Sequence, residues 1–292
     1  MNETKTLKYN GWTEDIVYCI PDIVYSTREG RNLKLHLVLP LDFHYAKKYG
    51  YTIDRNFPLI VSAKGSGFTH PEYNQFIGRA CRIAEHGFIV AMVEYSNFLE
   101  GCTFLDTCLD FKTAIRFLRA HAAEYHIDAN KVAAWGTSSG ASDATFAAFS
   151  GDDPKYKTDE YPEYSDSVDV VIDINGPVDI NAFTFSGSRI SGYYQEFWRT
   201  HKPSKDPKEL GAEASSINLV GEAKLPPILI AHGTDDPIVD YSQSVNLFKK
   251  LCDFNHEAVF YSIEGAGHGS AFTSELLEEC ISFINKAFAD KG

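Results

Sequence analysis

The chain has 292 residues, 44% of them hydrophobic and 23% charged, enough to bury a large core as a single domain over residues 1–292. A formal charge of −13 argues against nucleic acid and anionic membranes as partners, because both require a basic face. Met1-Asn2-Glu3-Thr4-Lys5 lacks the apolar stretch of a signal peptide, no run reaches membrane-spanning length, and the six cysteines form no C-x-x-C pair, so the cytoplasm is the expected compartment.

Strand-like and helix-like segments alternate, which predicts an α/β architecture with a mostly parallel central sheet covered on both faces. Residues 33–39 and 59–63 read as strands, and the second runs into Lys64-Gly65-Ser66-Gly67-Phe68-Thr69. A glycine-rich turn after an early strand can aim backbone N–H groups at a carbonyl oxygen. The competing reading, a phosphate-binding loop, lacks the G-x-x-x-x-G-K-[ST] pattern. A helix over 73–85, a strand over 88–93 and a helix over 105–125 follow.

Lys131-Val132-Ala133-Ala134-Trp135 then reads as a short buried strand leading into Gly136-Thr137-Ser138-Ser139-Gly140, with a small-residue helix over 141–149 behind it. A serine between a strand and a helix sits on a sharp turn with its hydroxyl pushed outward. Glycine is wanted two positions to either side, where a side chain would strike neighbouring backbone. The N–H of Ser139, at the helix start, is unpaired by the helix and suits a developing oxyanion.

Residues 151–167 read as a polar surface loop, and 168–174 as a strand. An insert over about 176–226 is longer than a plain crossover needs. It contains Tyr193-Tyr194-Gln195-Glu196-Phe197-Trp198, which either lines a pocket or packs the insert onto the domain. Residues 228–231 form a strand that opens into His232-Gly233-Thr234-Asp235-Asp236-Pro237. After a helix over 242–252, a strand over 258–263 runs into Glu264-Gly265-Ala266-Gly267-His268-Gly269. In the final helix, over 272–288, Phe272, Leu276, Leu277, Ile281 and Ile284 form a core-facing stripe.

A serine hydroxyl is a weak nucleophile at neutral pH, so it needs a base and an acid to orient that base. His268, exposed between glycines just past a strand, has the reach of a base, whereas His232 is placed to hold its own loop by hydrogen bonds. Asp235 and Asp236 are both available as the acid. Asp236 precedes Pro237, which biases it toward extended backbone that can aim its carboxylate across the strand ends.

These stretches together resemble the α/β-hydrolase superfamily, nearest its esterase/lipase branch with bacterial feruloyl-esterase-like and acetyl-esterase proteins. Phe111-Lys112-Thr113-Ala114-Ile115-Arg116-Phe117-Leu118-Arg119 through Tyr125-His126-Ile127-Asp128 is similar to the helix placed before the nucleophile strand. Asn175-Gly176-Pro177-Val178-Asp179 resembles the turn ending the next strand, and 232–239 and 265–269 match the acid and base loops. The resemblance runs from about residue 33 to the C-terminus.

It implies an α/β-hydrolase fold with a small lid-like insert and a triad of Ser138, Asp236 and His268. The branch usually has H-G-G-G where this chain has Lys64-Gly65-Ser66-Gly67; by position, the N–H groups of Ser66 and Gly67 join that of Ser139 as expected oxyanion donors. The implied activity is serine carboxylester hydrolysis of a small-molecule ester with a small or aromatic acyl group, such as feruloyl or acetyl esters of plant-derived carbohydrates, with no metal or organic cofactor. Phe68, Tyr193, Tyr194, Phe197 and Trp198 are the candidate acyl-pocket residues. A serine peptidase of the prolyl-oligopeptidase type shares the triad order, but usually carries an N-terminal propeller that this chain is too short to contain. A non-catalytic binding protein of the same fold commonly lacks a triad member, and here all three are present.

Overall fold

The strands alternate between two buried faces, and that alternation fixes where the helices lie. The computed structural model of the protein describes residues 17–28, 30–41, 48, 50, 52–184, 191, 192, 194–196, 199 and 205–291. Its eight-stranded sheet comprises β1 (Tyr18–Arg28), β2 (Arg31–Leu39), β3 (Phe57–Ala63), β4 (Ile89–Val93), β5 (Ile127–Thr137), β6 (Val170–Ile174), β7 (Ile228–Gly233) and β8 (Ala258–Ile263). Their spatial order is β1-β2-β4-β3-β5-β6-β7-β8, antiparallel at β1–β2 and β2–β4 and parallel elsewhere.

Leu59, Val61, Val132, Ala134, Val171 and Ile230 point to one face, and Ile60, Ala133, Trp135, Val170, Ile172 and Leu229 to the other. The first face packs on α2 (Phe104–Ala120), α3 (Ser139–Phe149) and α6 (Ser242–Asp253); the second packs on α1 (Ile77–Glu85) and α7 (Ser274–Asp290). Each fully buried Leu or Ile side chain contributes roughly 1.5–3 kcal/mol of transfer free energy. Two shorter helices, α4 (Ile180–Thr184) and α5 (Pro207–Ala214), lie within the insert.

Helix starts follow local chemistry. Thr103 and Asp106 form a reciprocal capping box at α2, and the Thr273 hydroxyl accepts the Leu276 N–H at α7, which starts that helix two residues after the apolar stripe begins. β1 was not anticipated. Its sequence includes Pro21 and Asp22, the latter at φ 57°, and the pairing with β2 shifts register between Ile20 and Ile23, so no regular alternation survives.

The strand order reverses around β3. Strands β4 and β5 flank it, and the crevice of such a sheet opens beyond the carboxyl ends at that point. Ala63 pairs with Gly136, so the glycine-rich turn after β3 leaves the sheet beside the turn carrying Ser138. Thr137 pairs with Ile174 and Gly233 with Ile263, which brings the ends of β5, β6, β7 and β8 to the same edge.

Candidate active site

Ser138 sits between β5 and α3 at φ 54°, ψ −127°, a strained conformation for a residue with a side chain. The two flanking glycines make it possible. A Cβ on Gly136 would stand 2.2 Å from the Gly140 carbonyl oxygen, and one on Gly140 would stand 2.2 Å from that of Ala63. The Ser138 N–H donates to the Ile174 carbonyl at 2.8 Å, tying the turn to the end of β6.

A continuous hydrogen-bonded line starts at this serine. Ser138 Oγ lies 2.9 Å from His268 Nε2, and His268 Nδ1 lies 2.6 Å from Asp236 Oδ2. The Asp236 side chain is fully buried. Its Oδ1 accepts the N–H groups of Ile238 (2.8 Å) and Val239 (3.0 Å), and its Oδ2 also lies 3.3 Å from His232 Nε2. Burial pushes this carboxyl up, but the hydrogen bonds from His232, His268 and the two backbone N–H groups outweigh it and hold it well below the usual carboxylate range. Asp235 is exposed; its N–H donates to the Ala266 carbonyl and its Oδ1 accepts from the Thr234 hydroxyl. Of the two adjacent acids, the fold brings Asp236 to the histidine. His232 holds the acid loop through Val239 O (3.0 Å) and Ser244 Oγ (2.7 Å), the structural part its position suggested.

The glycine-rich turn lies directly on the serine. A Cβ at Gly65 would come within 2.4 Å of Ser138 Cβ, so only glycine fits there. The expected donors divide into two groups. The Ser66 N–H donates to Ser139 Oγ at 2.9 Å and is therefore already engaged, which corrects its assignment as a free donor. The N–H groups of Gly67 and Ser139 have no partner among the described residues. The Ser66 hydroxyl donates to the Thr69 carbonyl at 2.5 Å and lies 3.0 Å from Tyr95 Oη. Tyr95 Oη in turn donates to the Lys64 carbonyl at 2.7 Å and lies 3.2 Å from Ser139 Oγ. A buried tyrosine thus pins the loop to the start of α3.

Two residues that sequence reasoning did not assign a role hold the site. One is Tyr95, for which the only available signal was its place just past β4. The other is Asn175, at φ 53°, whose Nδ2 donates to the His268 carbonyl at 2.7 Å and fixes the base loop. Its signal was the Asn-Gly turn after a strand.

A cavity of about 420 Å³ opens at Ser138 and His268, walled in part by Gly67, Ile174, Asn175 and Ile238. Phe68 and Tyr194 do not line it. Each is 1% exposed, and they pack with Phe98, Phe104 and Phe183 in a closed aromatic cluster. The Tyr194 hydroxyl donates to the Gly67 carbonyl at 2.6 Å. Tyr193, Phe197 and Trp198 lie outside the described residues. Among the described residues, no group of three or more His, Cys, Asp or Glu could hold a metal ion, and no helix is long and apolar enough to cross a membrane.

The chain is similar to Esterase LipC of Mycobacterium tuberculosis, 28% identical over 216 residues that make up 73% of this chain and 53% of the relative. It is also similar to a probable isoprenylcysteine alpha-carbonyl methylesterase of Oryza sativa subsp. japonica, 25% identical over 80% of this chain and 58% of the relative. The chain therefore spans little more than half the length of these curated relatives. Among solved structures, a truncated carbohydrate esterase from gut microbiota superposes with a TM-score of 0.76 at 24% identity, covering 94% of this chain and 98% of the other. A butyrate-bound esterase of the Planctomycetes species Thermogutta terrifontis superposes with a TM-score of 0.73 at 21% identity, covering 91% of this chain and 93% of the other. The fold is that of the α/β-hydrolase superfamily, and, with residues 41–251 matching the family's profile, the chain belongs to the BD-FAE family.

Proposed function

We propose that the protein is a serine carboxylester hydrolase working through an acyl-enzyme. The observation that carries this reading is the unbroken line from Ser138 Oγ through His268 to the buried Asp236, with spacings of 2.9 and 2.6 Å. Ser138 Oγ attacks the ester carbonyl as His268 Nε2 takes its proton, and Asp236, ionised and hydrogen-bonded to Nδ1, fixes the tautomer and stabilises the imidazolium. The N–H groups of Gly67 and Ser139 receive the oxyanion. His268 then gives its proton to the leaving alcohol, and a water deprotonated by the same nitrogen releases the acid and restores Ser138.

Small or aromatic acyl esters, including esters on carbohydrates, are the proposed substrates. The names of two structural neighbours, a carbohydrate esterase and a butyrate-bound esterase, support that range. The reading extends to a reducing, cytoplasmic compartment, supported by six cysteines that are all unpaired. An activity panel of 4-nitrophenyl acyl esters, feruloyl esters, acetylated oligosaccharides and aminoacyl anilides tests the class. Ester turnover abolished by Ser138→Ala is expected, whereas anilide turnover exceeding that of every ester would replace the esterase reading with a peptidase.

A further inference from the structure

The cavity beside Ser138 carries a charge pattern opposite to that of the whole chain. Acids outnumber bases 40 to 27 in the sequence. Yet the described residues lining the cavity include Lys64 and Arg79 and no Asp or Glu.

Arg79 projects from α1 and is half-buried. Its guanidinium carbon lies 3.6 Å from the ring centroid of Phe272 and 5.2 Å from that of Phe76. Stacking of this kind holds the guanidinium while leaving its five N–H donors for another acceptor. Burial brings Arg79 down to about 10, Cys280 raises it and Arg82 lowers it, and no carboxylate among the described residues acts on it; the group stays cationic at neutral pH. Lys64 Nζ donates to the Gly65 carbonyl at 3.1 Å; burial lowers its pKa, and Glu72 is the one carboxylate that opposes this. Half-buried cations with no carboxylate in ion-pair contact among the described residues are desolvated with little compensation, and an incoming anion supplies it. Phe272 lies four residues beyond His268, so the arginine and its ring platform share the cavity with the base.

On the ester-hydrolase reading, we propose that the substrate carries a carboxylate, gripped by Arg79 and Lys64 while Ser138 attacks the ester carbonyl. Arginine takes such a group through paired N–H bonds, and lysine adds a point charge. The chemistry admits two sources: a half-ester of a dicarboxylic acid, with the charge on the acyl side, or an acylated hydroxy or uronic acid, with the charge on the alcohol side.

Two matched pairs separate the sources: monoethyl succinate against ethyl succinamate, and O-acetyl-lactate against O-acetyl-lactamide. The anion of at least one pair should be preferred by about tenfold or more in kcat/KM, with the preference shrinking as salt rises. Arg79→Met should cut that ratio about fivefold or more and Arg79→Lys should restore part of it, while Lys64→Met, read in parallel, guards against a folding defect at Arg79. Equal rates within both pairs, or a ratio untouched by both methionine variants, would overturn the proposal. Calorimetric binding of the same pairs to Ser138→Ala keeps the two readings apart. Tighter binding of an anion by Ser138→Ala, with no turnover by the wild type, upholds the carboxylate site and sinks the esterase. Turnover of the neutral esters with no anion preference in binding does the reverse.

Discussion

Asp236 accepts three hydrogen bonds, from two backbone N–H groups on Oδ1 and from His268 on Oδ2, and His232 Nε2 lies 3.3 Å from Oδ2. This many donors to one buried carboxylate keep it ionised. Because its folded value is depressed, the stability it contributes is fully present above the ordinary carboxylate range of ~3.9 and is lost only as pH falls through the folded value. Loss of activity in mild acid therefore does not come from Asp236. Asp236→Asn should lower kcat for a simple acyl ester by about 10⁴, the scale seen when a triad aspartate loses its charge, while Asp235→Asn should stay within about threefold. Rates of the two variants on 4-nitrophenyl acetate, set beside their melting temperatures, check this; the reverse order would move the acid to Asp235. The sequence pointed to Asp236 through the proline that follows it, and the backbone shows how the two adjacent carboxylates are separated. Asp235 commits its N–H to Ala266 and faces water, and the following residue turns inward.

At the scale of elements, what could be read from the chain is what depends on local pattern. The strand, turn and small-residue helix around Ser138 follow from two glycines that steric contact makes obligatory. The stripe of Leu276, Leu277, Ile281 and Ile284 marks α7 because each falls on one buried face. β1 escaped notice because Pro21 and a register shift interrupt its alternation. The aromatic stretch of the insert was legible as aromatic, but tertiary packing decides what each ring does. Tyr194 packs against Phe68 and Phe98, and its hydroxyl donates to the Gly67 carbonyl beside the site. The Lys64-Gly65-Ser66-Gly67 turn shows the same division. Glycine at 65 follows from contact with Ser138, whereas the engagement of the Ser66 N–H depends on Ser139 and on Tyr95, distant in sequence. Arg79 gave no local sign, since its role depends on Phe272 from the far end of the chain.

Across the whole molecule, buried carboxylic acids set a pH dependence of stability separate from catalysis. Asp143 on α3 is fully buried; the Thr107 hydroxyl donates to its Oδ1 at 2.6 Å, and its Oδ2 has no partner among the described residues. Burial pushes it up to about 8, against hydrogen bonds from Thr107 and Cys108 and with a further push from Asp110. The folded value lies above the ordinary ~3.9, so the stabilisation is complete below that pH and is lost as pH rises toward 8. Asp173, on β6, is pushed up to about 7 by burial and acts in the same direction. Asp143→Asn should flatten, without abolishing, the decline of melting temperature between pH 4 and pH 8, and should melt higher than the wild type at pH 8 by roughly 5 °C or more. An unchanged slope in calorimetric scans would mean that Asp143 ionises freely in the folded state. The proposed mechanism rests on one nucleophile, Ser138, held at a strained turn beside its proposed base. Treatment with a fluorophosphonate, followed by mass spectrometry of the digested protein, tests that most directly. One adduct per chain on Ser138, absent from Ser138→Ala and slowed in His268→Ala, is the expected result; an adduct on another residue, or full ester turnover by protein that takes no label, would contradict it.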